Sequence, residues 1–127
     1  MEHVKLTAGE WNVLSCLWEQ SPRTITQLTA ALKEETGWTK NTVITMLSRL
    51  EAKGAIGHRE GARAKEYYPL ADRADTQRAE TESFLGKVYG GRLGLMVSAM
   101  VDSRQLTEAD IAELSAILKK AEGGGET

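Results

Sequence analysis

Apolar residues return at helical intervals in three short segments near the start of the chain. Trp11, Leu14, Leu17 and Trp18 form the first stripe, and Thr7 precedes Glu10 by the three residues of a capping box. A helix is therefore predicted from Thr7 to Gln20, ended by Ser21-Pro22. Thr24 caps a second stripe, Ile25, Leu28, Ala31 and Leu32, which Gly37 stops. Thr39 caps a third helix with Val43, Met46, Leu47 and Leu50 inward, closing at Gly54 with Lys53 in its last turn.

Beyond Gly54 the pattern changes. Ala55 to Glu60 and Ala64 to Leu70 flank a Gly61-Ala62-Arg63 turn, and the second stretch carries the strand-forming Tyr67 and Tyr68, so a β-hairpin is predicted. Three short helices followed by a basic hairpin is the order of a winged helix-turn-helix, whose third helix enters the major groove while the hairpin lies along the backbone. From Asp72 the periodicity is helical again. Ala79, Phe84, Leu85, Val88 and Tyr89 lead to a Gly90-Gly91 break, and Leu93 to Val101 is strongly apolar. A last segment starts at Thr107 with Glu108, Asp110 and Glu113, carries Ile111, Leu114, Ile117 and Leu118 on one face, and is expected to fray at Gly123-Gly124-Gly125.

The expected fold is thus mainly α with a small β-hairpin wing: a winged helix-turn-helix DNA-binding domain over 1–71 and a helical dimerisation domain over 72–127. Three short tail helices cannot enclose so much apolar surface by themselves. Burial against the same segment of a second chain solves this, with packing onto the chain's own winged domain as the alternative. The residues expected in such a homodimer are Phe84, Leu85, Val88, Tyr89, Leu95, Met96, Val97, Met100, Val101, Ile111, Leu114 and Leu118.

Charge sharpens this picture through its distribution. The net charge is −2, yet Lys40 to Lys65 holds six basic residues (Lys40, Arg49, Lys53, Arg59, Arg63, Lys65) against Glu51 and Glu60, a local +4. Residues 71–127 hold seven basic and ten acidic side chains, a local −3. A basic middle joined to an acidic tail suits a chain whose central face meets phosphates; ordinary solvated charge is the other reading. The lone Cys16 lies in an apolar helical pattern and can form neither an intrachain disulfide nor a thiolate metal cage, so it is read as core. No apolar run is long enough to cross a bilayer, and a cytoplasmic protein without membrane insertion is expected.

On a wheel of about 100° per residue, an inward Val43, Met46, Leu47 and Leu50 sends Asn41, Thr42, Thr45, Ser48 and Arg49 toward the opposite side. Those side chains can hydrogen-bond base edges, with Arg49 suited to phosphate or guanine. Thr39 and Lys40 stand at the positively polarised helix start, where backbone N–H groups can hold a phosphate. Arg63 and Lys65 supply wing cations. Catalysis finds no support, because neither His3 nor His58 has a nucleophile or paired carboxylates in a recognisable spacing, and both read as surface histidines. The glycines lack the spacing of a phosphate-binding loop, and no metal or cofactor is expected.

Leu6-Thr7-Ala8-Gly9-Glu10-Trp11-Asn12-Val13-Leu14 with Leu17-Trp18 resembles the first helix of the penicillinase-repressor family of transcriptional regulators. So do Trp38-Thr39-Lys40-Asn41-Thr42-Val43 through Thr45, Leu47, Arg49-Leu50 and Lys53-Gly54, then Tyr67-Tyr68-Pro69-Leu70 and Phe84-Leu85-Gly86-Lys87-Val88-Tyr89-Gly90-Gly91, up to the acidic last helix. The resemblance implies a homodimeric repressor of the antibiotic response that binds an inverted repeat in double-stranded promoter DNA. It also implies relief when a membrane sensor metalloprotease leads to cleavage in the tail, here within Ser98-Ala99-Met100-Val101, with Ala99-Met100 replacing the asparagine-phenylalanine bond of relatives. Two departures stand out. Ile44 occupies a place where relatives often have a polar or basic residue, so the operator need not match theirs. The C-terminal cysteine cluster of the copper-responsive branch is missing. Two other classes also fit the sequence: a winged-helix regulator released by a small ligand, and an interaction module that binds no DNA.

Overall fold

Every helix start that the sequence signals is built as a cap. The computed structural model describes residues 5–124, so His3 and Gly125 lie outside the described residues. Thr7 accepts the Glu10 amide at 3.2 Å while its own amide donates to Glu10 Oε1 at 2.8 Å, opening α1 (Ala8–Glu19). The same reciprocal pair recurs between Thr24 and Gln27 before α2 (Ile25–Thr36), which ends at Gly37 with φ 67°. Thr39 caps α3 (Lys40–Ala52). Strands β1 (Ile56–Glu60) and β2 (Lys65–Pro69) pair antiparallel with Ile56 opposite Pro69 and Glu60 opposite Lys65. Three more helices follow, α4 (Arg73–Tyr89), α5 (Leu93–Asp102) and α6 (Glu108–Gly124). A mainly α fold with a hairpin wing, as expected, is what the chain adopts.

The chain divides into two compact units, 1–81 and 82–127. In the first, Val13, Leu14 and Leu17 of α1, Leu28 and Leu32 of α2, and Val43, Leu47 and Leu50 of α3 are buried together with Ala55, Ile56 and Tyr67. Ala31 is exposed, contrary to expectation. On the wheel it falls on the far side of Leu28 from Ile25 and Leu32, outside the arc facing the core. Gly9 lets α1 approach α3 closely: a Cβ there would lie 3.2 Å from Met46 Cε and 3.3 Å from Trp38 Cη2. Half-buried Cys16 packs against this core, and burial pushes its thiol pKa up, with Arg23 opposing and Glu19 and Glu35 adding to the rise. The first unit reaches past the 71/72 division because Trp18 holds the chain there. Its indole Nε1 donates to the Ala71 carbonyl at 2.9 Å, and the Arg73 guanidinium lies 5.7 Å from its ring centre.

The second unit is built differently. Gly90 and Gly91, at φ 61° and 83°, turn the chain out of α4, and the Gly91 amide donates to the Leu85 carbonyl at 3.0 Å. Thr107 and Asp110 exchange side-chain caps at 3.0 Å each before α6. That helix continues through Gly123 instead of fraying there, since glycine weakens a helix by about 1 kcal/mol without forbidding its dihedrals. None of the described residues from 82 onward is buried. Phe84, Val88, Leu93, Leu95, Val101, Ile111, Leu114, Ile117 and Leu118 are all exposed.

One charge lies inside the first unit. The Glu10 side chain is fully buried, and Lys53 at the C-cap of α3 reaches it, Nζ lying 2.5 Å from Oε1 and 2.7 Å from the Lys5 carbonyl. Burial alone would raise the carboxyl pKa, but the Lys53 ammonium and the Thr7 bonds outweigh it and hold the group below the ordinary glutamate range. A depressed folded pKa stabilises the fold at pH values above the unfolded one, and that contribution fades as acid titrates the carboxylate through its lower folded value. Lys53→Ala, which strands a buried carboxylate, is expected to cost about 1–3 kcal/mol in urea unfolding at neutral pH. The deficit relative to the parent chain should shrink as the pH falls below the ordinary glutamate range. A deficit independent of pH would mean that the pair contributes through packing alone.

Candidate nucleic-acid interface

With Val43, Leu47 and Leu50 buried, α3 turns Asn41, Ile44, Thr45 and Ser48 outward as one exposed stripe, with Arg49 exposed beside it. Met46 is half-buried against Gly9. The Thr45 hydroxyl donates to the Asn41 carbonyl at 3.1 Å, which leaves its oxygen lone pairs and its methyl facing out. Thr42 is half-buried and serves the helix start. Its amide donates to Thr39 Oγ1 at 3.4 Å, and the two hydroxyls lie 3.3 Å apart. Lys40 is exposed in the first turn, beside the backbone N–H groups that α3 leaves without helical partners.

The hairpin that follows is tied to the helices at two points and closed at its base by a third bond. The amide of Arg23, in the α1–α2 connection, donates to the Tyr67 carbonyl at 3.0 Å, and the Tyr67 amide returns a bond of 2.8 Å. His58 of β1 meets the Glu51 carboxylate in the last turn of α3 through Nδ1, and its ring stands 5.6 Å from that of Tyr67. The Leu70 amide donates to the Ala55 carbonyl at 2.8 Å. Tyr67 is buried in the core, and burial pushes its phenol pKa up, with the Glu51 and Glu60 carboxylates adding to the rise. At the tip, Gly61 donates to the Ala64 carbonyl at 3.0 Å, and Arg63 and Lys65 are exposed.

Of the six basic residues counted in this segment, two are already engaged. Lys53 pairs with Glu10, and Arg59 Nε lies 3.0 Å from Glu66 Oε1 across the hairpin. Among the described residues, no ion pair engages Lys40, Arg49, Arg63 or Lys65. The available positive charge is therefore confined to the two ends of α3's outer face and the tip of the hairpin. Sequence reasoning passed over Ile44 as part of the outer stripe, because the wheel was read by polarity. It also missed the Arg23–Tyr67 and Glu51–His58 contacts, which join different elements and leave no periodic signal.

In the tail, Phe84, Val88, Leu95, Val101, Ile111, Leu114 and Leu118 are exposed, and Leu85, Tyr89, Met96, Val97 and Met100 are half-buried. Phe84 and Tyr89 meet edge to face at 6.1 Å. Ala99 is exposed inside α5, its carbonyl accepting the Ser103 amide and hydroxyl at 3.0 Å each. Among the described residues, no group of three or more His, Cys, Asp or Glu is placed to hold a metal, and no helix is long and apolar enough to cross a membrane.

Three helices closed by an antiparallel hairpin, with a polar outer stripe on the third, define a winged helix-turn-helix protein of the DNA-binding type. The sequence profile described as penicillinase repressor matches residues 6–120. The penicillinase repressor of Bacillus licheniformis is 31% identical over 116 residues, covering 91% of each chain. The methicillin resistance regulatory protein MecI of Staphylococcus aureus is 26% identical, covering 91% of this chain and 94% of its own. Among solved structures, the monomeric form of Bacillus licheniformis BlaI in complex with the blaP half-operator superposes with a TM-score of 0.52 at 29% identity, covering 59% of this chain and 93% of that one. The chain belongs to the penicillinase-repressor family, and is thereby a DNA-binding transcriptional repressor.

The wing turn gives a prediction independent of any ligand. A Cβ on Gly61 would lie 2.6 Å from the Ala64 carbonyl oxygen and 2.7 Å from Glu66 Cδ, so the turn must open to admit it. Gly61→Ala should shift the amide resonances of residues 58–67 while leaving those of α1 and α2 in place, at a cost of about 1–2 kcal/mol. An unchanged amide spectrum would show that the turn admits a side chain.

Proposed function

We propose that the protein is a cytoplasmic homodimeric repressor in which 1–71 binds one half of a palindromic operator and 72–127 holds two chains together. In this reading Asn41, Thr45 and Ser48 meet base edges in the major groove. Lys40, Arg49, Arg63 and Lys65 meet phosphates, and Thr39 with Thr42 sets the helix start that holds one more. The observation that carries this is the outer face of α3, exposed along its length and polar on either side of Ile44, flanked by cations that no ion pair engages among the described residues. The likeness to a protein solved in complex with a half-operator supports DNA binding by the winged unit.

The dimer rests on the tail. A unit with nine exposed large hydrophobics and no buried residue among those described has its apolar surface available for a second copy. Each winged unit holds one half-site weakly, and tethering two raises the effective concentration of the second. Relief follows from cutting that tether at Ala99-Met100 once a membrane sensor metalloprotease has been activated. A bond inside a helix is cut only when the helix opens, and α5 has the means. Its start lacks a side-chain cap, Gly90-Gly91 precede it, and Arg104 follows it at φ 60°.

Binding to promoter DNA should fall steeply with salt and favour a palindrome with half-sites about 10 or 20 base pairs apart. Asn41→Ala or Thr45→Ala should relax sequence preference by about 1–3 kcal/mol at the base contacted, whereas Arg63→Ala or Lys65→Ala should weaken all sequences alike and lower the salt slope by about one per half-site. Electrophoretic shifts over a salt series decide this; wing variants that changed base preference would reverse the assignment. A chain ending at Ala99 should sediment as a monomer and lose most operator affinity while keeping a folded winged unit. If it still dimerised and bound the palindrome like the intact chain, relief by tail cleavage would be wrong.

A further inference from the structure

Ile44 sits in the middle of the stripe that α3 turns outward. Asn41 is one turn before it, Ser48 one turn after, and Thr45 beside it, all exposed. The residue is 37% accessible, and among the described residues of the first unit the other large exposed hydrophobic is Leu70, beyond the end of β2. Neither the core nor the helix accounts for this residue. Its inward neighbours Val43 and Leu47 are buried whereas Ile44 is exposed, and a β-branched side chain at an exposed helical position is a poorer helix former than the lysine, glutamine or leucine that could replace it.

The edges of B-DNA bases in the major groove offer one apolar group, the 5-methyl of thymine. An isoleucine held on a rigid helix, with χ1 largely fixed by its branching, gives a methyl-sized apolar surface at a defined place and little rotamer freedom to lose. Its polar neighbours Asn41, Thr45 and Ser48 can align the helix against flanking donors and acceptors. On this geometry we propose that Ile44 is a specificity-determining residue of the repressor, reading the 5-methyl group of one thymine in each half-site. The inference rests on the DNA-binding reading given above.

Thymine and deoxyuridine differ by that methyl alone, so the contact can be removed from the DNA side without touching the protein. The probe is the duplex that the full-length protein enriches from a random library, remade with each symmetry-related pair of thymines replaced in turn by deoxyuridine. At one pair the intact protein should lose about fourfold in affinity per half-site, the worth of burying one methyl group. Ile44→Ala should bind the thymine and deoxyuridine duplexes equally at that pair, Ile44→Val should keep most of the difference, and Asn41→Ala should keep it while weakening binding elsewhere. If no thymine pair discriminates, or if the discrimination survives in Ile44→Ala, the proposal is overturned with the DNA-binding reading intact. If no sequence is enriched at all, the DNA-binding reading falls, and this inference falls with it.

Discussion

A helix that buries one side has no freedom in what it shows on the other. In α3 the buried side is Val43, Leu47 and Leu50, each at 1% exposure or less, packed against Leu14, Leu17 and Leu28. Full burial of such side chains contributes about 1.5–3 kcal/mol apiece, so a rotation of α3 about its axis would forfeit several of them at once. The outer stripe is therefore as rigidly specified as the core. Asn41, Ile44, Thr45 and Ser48 are exposed, yet their direction is set by the residues buried on the opposite side. Such preorganisation lets small side chains discriminate, because little ordering is left to be done on binding.

Charge is managed by the same frame. A buried carboxylate at Glu10 takes up Lys53, and Glu66 takes up Arg59. The pairs remove two cations from the basic segment and leave the remainder at the ends of α3 and at the hairpin tip. Regional net charge thus overstates the charge left available on the surface of this segment. The tail follows an opposite rule. Its helices are well capped at Thr107 and well turned at Gly90-Gly91, but they bury none of the described residues from 82 onward, so local signals carry their order.

Local chemistry was legible in the sequence, and distant chemistry was not. The caps at Thr7, Thr24 and Thr39 depend on residues three positions apart, and all three form. The hairpin lies where the strand-forming Tyr67 and Tyr68 and the Gly61-Ala62-Arg63 turn put it. Ala31 went astray because a small residue beside a stripe matches the helical period without lying on its axis. The Glu10 to Lys53, Glu51 to His58 and Arg23 to Tyr67 contacts bring together residues from 7 to 44 positions apart, which no periodicity encodes. Ile44 stood out in the sequence as a departure from its relatives, and only its exposure gave it a place on the outer stripe.

The link between Arg23 and Tyr67 is made by main-chain atoms on both sides. A backbone anchor is indifferent to side-chain identity; at Arg23 it bars proline alone, which would delete the donor. The wing can therefore exchange Arg63 or Lys65 for other residues, gaining or losing charge at the tip, without shifting the strand that carries them. Frame and contact surface are in this way separable under mutation. A lineage can retune the charge of the hairpin tip, one substitution at a time, while the outer stripe of α3 keeps its direction.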